Sequence, residues 1–312
     1  MRKGLKLMSL LLVLALLVLT GCKTSDEAKY KIIVPNGTPL LGMSSFLSET
    51  DKFEYEIVGG SDPLVAAFTK GEHDVIVAPV NLGAKMYNQK ENYVLYKTFV
   101  WGNFYLASTS EIGEFSSLDG QKVVAFGRNS SPDVMLKVIM QHYGISLDIT
   151  YVDDVATANS YLMSGQANLI VSAEPSLTVL KGKKTIYTLN LQEEWHKATN
   201  GNYFPQAAIF VKKELVNKNS FVHTFPIQSY LEDLTNEEKY ATIAATAVEL
   251  HTSFKTMGQE TLIKSMPYCN YKVLTAEEEK AAVENYFEML ISLSLSAQVG
   301  GKLPGSEFYQ IK

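Results

Sequence analysis

Short apolar runs at 30–34, 55–58, 75–78, 122–126, 149–152 and 169–171 have the length and β-branched content of buried strands. Between them, apolar residues return every third or fourth position, as on one face of a helix: 64–70, 82–87, 132–143 and 156–164, with another helix expected to begin within 43–47. Strand and helix alternating in this way predict an open, mostly parallel sheet covered by helices. The punctuation agrees. Pro35-Asn36-Gly37-Thr38-Pro39 is a loop dense in turn residues, Ser61 or Asp62 caps a helix whose first residue is Pro63, and Gly71 and Gly144 stop the helices that precede them.

The pattern is built twice. Residues 70–79, KGEHDVIVAP, and 164–175, SGQANLIVSAEP, both stop a helix with glycine, place Asp or Asn three residues later, run an apolar strand and break it with proline. Two such lobes facing each other bring their βα loops to one crevice at the carboxyl ends of the strands, where open α/β sheets bind ligands. The candidate loops are 35–42, 59–62, 79–81, 127–133 and 172–176. The segments 93–100 and 104–107 are β-rich and interrupted by Trp101-Gly102-Asn103, and Gly201-Asn202-Tyr203-Phe204-Pro205-Gln206 leads into a strand at 207–211. Two extended crossings of this kind make a hinge, with Trp101, Phe104, Tyr105, Tyr203 and Phe204 available to stack on a ligand or to fill core. Downstream, 236–254 has helical spacing and Thr275 caps a long helix over 276–295; these are expected to pack on the first lobe and to supply no site residue.

One loop stands out by charge. Lys122 to Tyr143 reads as a strand, the tight turn Gly127-Arg128-Asn129-Ser130, and a helix capped by Ser131 with Pro132 at its first position. Arg128 is one of two arginines in the chain, the other being Arg2. A helix N-terminus beside two hydroxyls and a guanidinium suits a small anion, although a capped turn carrying a solvated arginine has the same sequence.

Arg2, Lys3 and Lys6 precede an apolar run over 8–19 that ends in Leu19-Thr20-Gly21-Cys22, and this resembles the lipobox of bacterial lipoproteins. That resemblance implies cleavage before Cys22, acylation of its sulfur and a polar tether over 22–29. Loss of residues 1–21 takes away three positive charges and moves the formal charge from −5 to −8, which argues against nucleic acid as a partner. Cys269 is then the one remaining internal cysteine, which excludes an intramolecular disulfide and a cysteine-based zinc site. The histidines, His73, His142, His196, His223 and His251, fall outside the candidate loops, and no nucleophile elbow, HExxH, P-loop or dinucleotide loop occurs. Asp62 and Glu174 are the one candidate acid/base pair, although a carboxylate at a helix start is commonly a cap.

Taken together, the lipobox, residues 35–43, Gly60-Ser61-Asp62-Pro63, residues 71–81, Ser117-Leu118-Asp119-Gly120-Gln121-Lys122-Val123-Val124, Ser164-Gly165-Gln166, Glu174-Pro175, Gly301-Lys302-Leu303-Pro304 and Phe308-Tyr309 resemble solute-binding lipoproteins of ABC importers. The likeness is to the nitrate/sulfonate/taurine/thiamine-precursor branch. It implies a two-lobed periplasmic-binding-protein fold of the second type, with lobe 1 over 30–102 plus 207–312 and lobe 2 over 103–206. It implies as partners a small-molecule solute, a permease and an ATPase, with a lipid anchor in the membrane, a monomeric chain, and no cofactor or metal. By position it places ligand contacts at Gly37, Thr38, Pro39, Ser61, Asp62, Pro79, Val80, Asn81, Arg128, Asn129, Ser130, Ser131 and Glu174; of the hinge aromatics, Trp101 or Tyr203 is placed to stack on the solute. Arg128 favours an anion such as a sulfonate or carboxylate; the aromatic and acidic positions favour a cationic or neutral heterocycle. An enzyme of thiamine- or menaquinone-precursor metabolism on the same fold, and an adhesin or sensor using the same cleft, are the alternatives.

Overall fold

The computed structural model describes residues 29–311; the signal peptide, Cys22 and nearly all of the tether lie outside the described residues. The strands form two five-stranded sheets. The first takes β1 (Tyr30–Pro35), β2 (Phe53–Val58), β3 (Val75–Pro79) and β4 (Tyr93–Val100), with helices α1 (Thr38–Glu49), α2 (Asp62–Lys70) and α3 (Val80–Gln89) between them. The second takes β5 (Phe104–Ser108), β6 (Lys122–Phe126), β7 (Asp148–Val152), β8 (Leu169–Ala173) and β9 (Tyr187–Asn190). Its helices are α4 (Ser131–Tyr143), α5 (Val155–Met163), α6 (Ser176–Lys183) and α7 (Leu191–Ala198). Strand β10 (Ala207–Lys212) then returns to the first sheet. This is the two-lobed, mostly parallel architecture of type 2 periplasmic binding proteins.

Strand order is β2-β1-β3-β10-β4 in one sheet and β7-β6-β8-β5-β9 in the other. In each, one strand is antiparallel to both neighbours: β10 lies between β3 and β4, and β5 between β8 and β9. Both of these strands immediately follow a crossing between lobes. Each crossing thereby delivers the chain into the interior of the sheet it enters, so the hinge is anchored in the two cores and not at their edges. Alternation along β5 shows the result: Phe104 and Leu106 enter the main core, Tyr105 and Ala107 a second cluster with Leu162, Ile170 and Leu177 on the opposite face.

The first helix is longer than expected and begins at Thr38, directly after Gly37, whose φ of +98° lets the chain turn without a Cβ clash. Helix α4 starts one residue earlier than the Ser131 cap implies: Ser130 occupies the cap position and makes no side-chain cap bond. The helix expected over 236–254 is broken. A 3₁₀ turn at Glu237–Lys239 leads into Tyr240–Leu250, His251 is extended (φ −143°, ψ 139°), and its ring nitrogen accepts the Ser253 N–H to begin Thr252–Met257. A capping box at Thr275 and Glu278 opens the last long helix, Ala276–Ser292. Among the described residues no helix is long and apolar enough to cross a membrane.

Candidate functional site

The two lobes meet along a seam organised by one residue of the second crossing, Gln206. Its N–H donates to Val100 O (2.9 Å), and its carbonyl accepts from Val80 N (3.2 Å) and from Ser131 Oγ (3.3 Å). Its Oε1 accepts from Asn103 N (3.0 Å). Gln206 therefore ties the loop after β3, the start of α4 and the first crossing together. Beside it, Thr38 Oγ1 donates to Glu174 O (2.6 Å) and accepts from Asn103 Nδ2, which also donates to Glu174 O (3.2 Å). Thr38, Asn81, Asn103, Ser131, Glu174 and Gln206 are all at most 8% exposed.

The sequence-predicted residues divide into those the fold brings to this seam and those it does not. Thr38, Val80, Ser131 and Glu174 bond across it, Pro79 precedes Val80, and Asn81 follows it, buried, with Oδ1 lacking a partner among the described residues. Gly37 and the half-buried Pro39 flank Thr38. Ser61 stands at the α2 cap position without a side-chain cap bond and Asp62 is exposed. Trp101 is fully buried, its Nε1 donating to Lys272 O (3.2 Å), so it is packed as hinge core and presents no free face for stacking. Tyr203 is the exposed partner, its ring edge-on to Trp101 at 5.7 Å with Lys272 Nζ 4.9 Å over its face.

The Arg128 loop has a different environment from the one its sequence suggests. Arg128 and Asn129 are exposed, and the guanidinium carbon lies 4.7 Å over the Tyr151 ring. Below it, the fully buried Asp133 carboxylate accepts from Asn129 N (2.7 Å), Lys137 Nζ (2.8 Å) and the Tyr151 hydroxyl (2.5 Å). The chain supplies its own carboxylate to the positive end of α4.

Glu174 joins Pro175 through a cis peptide bond, and its carboxylate accepts from Thr178 N (3.1 Å) and Thr178 Oγ1 (2.8 Å) at the start of α6. Burial pushes this carboxyl above its usual range, against the Thr178 bonds and the Lys181 charge. The Glu174 carboxylate is thus taken up by the first turn of α6, and Asp62 is exposed at the start of α2.

Residues between the two C-terminal helical stretches, named in none of the candidate loops, also reach the seam. An isolated bridge between Val100 and Tyr271 lays the turn after Met266 along the hinge. Tyr271 OH donates to Thr38 O (2.8 Å), Asn270 Nδ2 donates to Trp101 O (2.5 Å) and Gly102 O (2.9 Å), and Tyr105 OH reaches Tyr268 O at 3.5 Å. Lys181 Nζ is 5.8 Å from the Tyr105 ring and 5.9 Å from that of Tyr268. Polar residues at a hinge crossing, Asn103 and Gln206, are the signal that would have flagged the seam; for Tyr268 and Tyr271 local sequence holds none.

Cys269 is a buried free thiol, and it lies in the seam, with Thr38 Oγ1 4.0 Å from its sulfur. Burial, and secondarily the Glu174 charge, push the thiol up to about 12. It is therefore expected to stay protonated from pH 6 to 9 and to react with a disulfide reagent only on unfolding; stoichiometric labelling of native protein within minutes at pH 8 would contradict this.

Among the described residues no group of three or more His, Cys, Asp or Glu could hold a metal ion. Two surface hollows, of about 490 and 260 Å³, lie away from the seam. Glu91, Lys212, Lys213 and Glu214 line the larger, and Lys31, Glu54, Glu72 and His73 the smaller. Their polar groups pair locally, Lys212 with Asp74 (2.9 Å) and His73 Nε2 with Glu56 Oε2 (3.2 Å), as on a solvated surface. The hydrogen-bonded seam is the better site candidate.

No family model matches the chain, and no curated protein does. Solved structures match over nearly its whole length. An ABC transporter protein from Parabacteroides distasonis shares 21% identity at a TM-score of 0.72, over 90% of this chain and 98% of that one. The alkanesulfonate-binding protein from Xanthomonas axonopodis pv. citri, bound to MOPS, shares 12% at 0.64, over 93% and 99%. The periplasmic aliphatic sulphonate binding protein of Escherichia coli shares 14% at 0.64, over 90% and 94%. At these identities the likeness establishes the fold.

Proposed function

We propose that this chain is the extracytoplasmic solute-binding lipoprotein of an ABC importer, held to the membrane through acylated Cys22, with lobes divided at 102/103 and 206/207. It captures a small solute between its lobes and presents it to a permease driven by an ATPase. The observation that carries this reading is the seam itself. Thr38 and Val80 from one lobe, Ser131 and Glu174 from the other, and Asn103 and Gln206 from the two crossings converge in one buried hydrogen-bonded layer. The names of the structural neighbours support it, as does the signal sequence. The Glu174 carboxylate is taken up by Thr178 and Asp62 is exposed, which disfavours an acid/base role for the two. A second reading, an anion such as a sulfonate or carboxylate held by Arg128, requires Arg128 to leave the Tyr151 ring.

With the full chain in mild detergent, the true solute at a hundredfold excess over Kd is expected to stabilise the fold by about 2.7 kcal/mol, several degrees in Tm, and to be recovered unchanged. Thr38→Val removes the bond to Glu174 O and is expected to weaken capture about five- to tenfold, near 1 kcal/mol, by calorimetry. Turnover of the solute, or full affinity in Thr38→Val, would count against the reading.

A further inference from the structure

Resting on the capture reading, we infer that residues 259–272 are a strap across the hinge, anchored at both ends to lobe 1 and the first crossing, and released from lobe 2 at Tyr268 when the cleft opens. The anchoring contacts are short hydrogen bonds. Gln259 Nε2 donates to Ala241 O (3.0 Å) at one end. At the other, Trp101 N donates to Asn270 O (3.0 Å), Lys272 N donates to Phe99 O (3.2 Å), and the Asn270 amide donates to Trp101 O and Gly102 O. Val100 pairs with Ala207 on one side and with Tyr271 on the other, so this end of the strap lies as a third strand beside β4 and β10 at the base of the hinge. Asn270 takes a left-handed backbone there, φ +54°, which asparagine tolerates better than most residues. Tyr271 OH adds its bond to Thr38 O (2.8 Å). All of these partners precede residue 103 or follow residue 206, so they stay together when the lobes move.

The contacts to lobe 2 are of another kind. Helix Gln259–Ser265 rests against α6. Tyr105 OH reaches Tyr268 O at 3.5 Å, long for a hydroxyl donor, and Lys181 Nζ stands 5.9 Å from the centre of the Tyr268 ring. Tyr268 is 56% exposed and Lys181 is exposed, so the two meet at the rim of the seam. The Thr38 bond to Glu174 O spans the same gap within the buried layer. A hinge motion gives way at the weakest contacts, and on the strap these are the ones that Tyr268 makes with lobe 2. Contacts of this strength shift the balance of open and closed lobes without deciding it alone. Lys181 also acts on the Glu174 carboxyl, but the two share lobe 2, so that attraction is the same before and after opening.

The test is pulsed electron paramagnetic resonance on the full chain in mild detergent, spin-labelled at Glu72→Cys and Gln166→Cys. These exposed positions follow Gly71 and Gly165 in the repeated segment and precede β3 and β8, at the ends away from the seam, one in each lobe. Cys22→Ser keeps label off the N-terminal segment, and the buried Cys269 takes none. Distances are recorded without solute and with a pooled solute library. Lys181→Met is expected to raise the ratio of open to closed lobes about two- to fivefold, the range for one cation over an exposed ring, and Tyr268→Ala at least as far. Both side chains are exposed, so the urea midpoint should match that of wild type. Lys264→Met, on the strap but paired at the surface with Glu260 (2.7 Å), should leave the ratio unchanged. Two distances whose ratio neither Lys181→Met nor Tyr268→Ala moves, with or without the pool, would overturn the strap and leave the capture reading standing. A single distance common to wild type and every variant, with and without the pool, would mean that the lobes do not move and would overturn both.

Discussion

Glu279→Ala is expected to lower the stability of the fold by about 3–5 kcal/mol, the cost of removing one partner from a buried charge pair. Lys97 lies in the middle of β4, 2% exposed, its Nζ 3.3 Å from Glu279 Oε2 and 2.8 Å from the Leu274 carbonyl. Glu279, fully buried on the last long helix, also accepts the Thr98 N–H with its other oxygen. The alanine variant takes the opposite charge away from a buried ammonium and leaves a backbone N–H of β4 without its acceptor. Burial pushes the Glu279 carboxyl up to about 7 against the pull of Lys97, so desolvation outweighs pairing at this site. The pair is therefore not a net source of stability, and Lys97→Met with Glu279→Gln, which keeps an acceptor for the Thr98 N–H, is expected to return to within about 1 kcal/mol of wild type. Urea denaturation of wild type and the two variants separates these outcomes; Glu279→Ala no less stable than the double variant would refute the account.

What the sequence carries locally, it carries legibly. Gly71 and Gly144 stop their helices in the left-handed conformation, φ +71° and +66°, because a residue with a Cβ pays to sit there. The repeated segments at 70–79 and 164–175 become β3 and β8, which hold the same place in the two sheet orders. The seam is another matter. Thr38 and Asn103 are 65 residues apart, Thr38 and Glu174 are 136, and no spacing rule links them. Arg128 shows the reverse, a residue whose surroundings the sequence does not disclose. As the one arginine past the signal segment it reads as a ligand group, whereas the folded chain offers it the Tyr151 ring from the neighbouring strand and gives α4 the Asp133 carboxylate. Trp101 likewise reads as a stacking platform until the turn at Asn270–Lys272 closes over it, through a pairing 169 residues long.

Gly83→Ala should be the second most damaging small substitution, and it links packing to the site. In an exposed helix this change gains about 1 kcal/mol of helix propensity. Here α3 crosses β10 so closely that a Cβ at Gly83 would lie 2.0 Å from Phe210 Cζ, 2.2 Å from Cε1 and 2.7 Å from Cε2. Phe210 is fully buried, with the Phe68 ring 5.5 Å and the Phe308 ring 6.1 Å from its own, so the ring has no room to retreat. Overpacking at the upper end of its usual cost, about 3 kcal/mol, outweighs the propensity gain and leaves a net loss of about 2 kcal/mol. The helix must then move off the sheet. Val80, its first residue, holds Gln206 O through its N–H, and Asn81 follows, so the displacement reaches the seam and should weaken solute capture as well as the fold. Adding Phe210→Leu makes room for the methyl and is expected to recover affinity together with most of the stability. If Gly83→Ala loses stability while binding its solute at full strength, α3 does not set the position of Asn81.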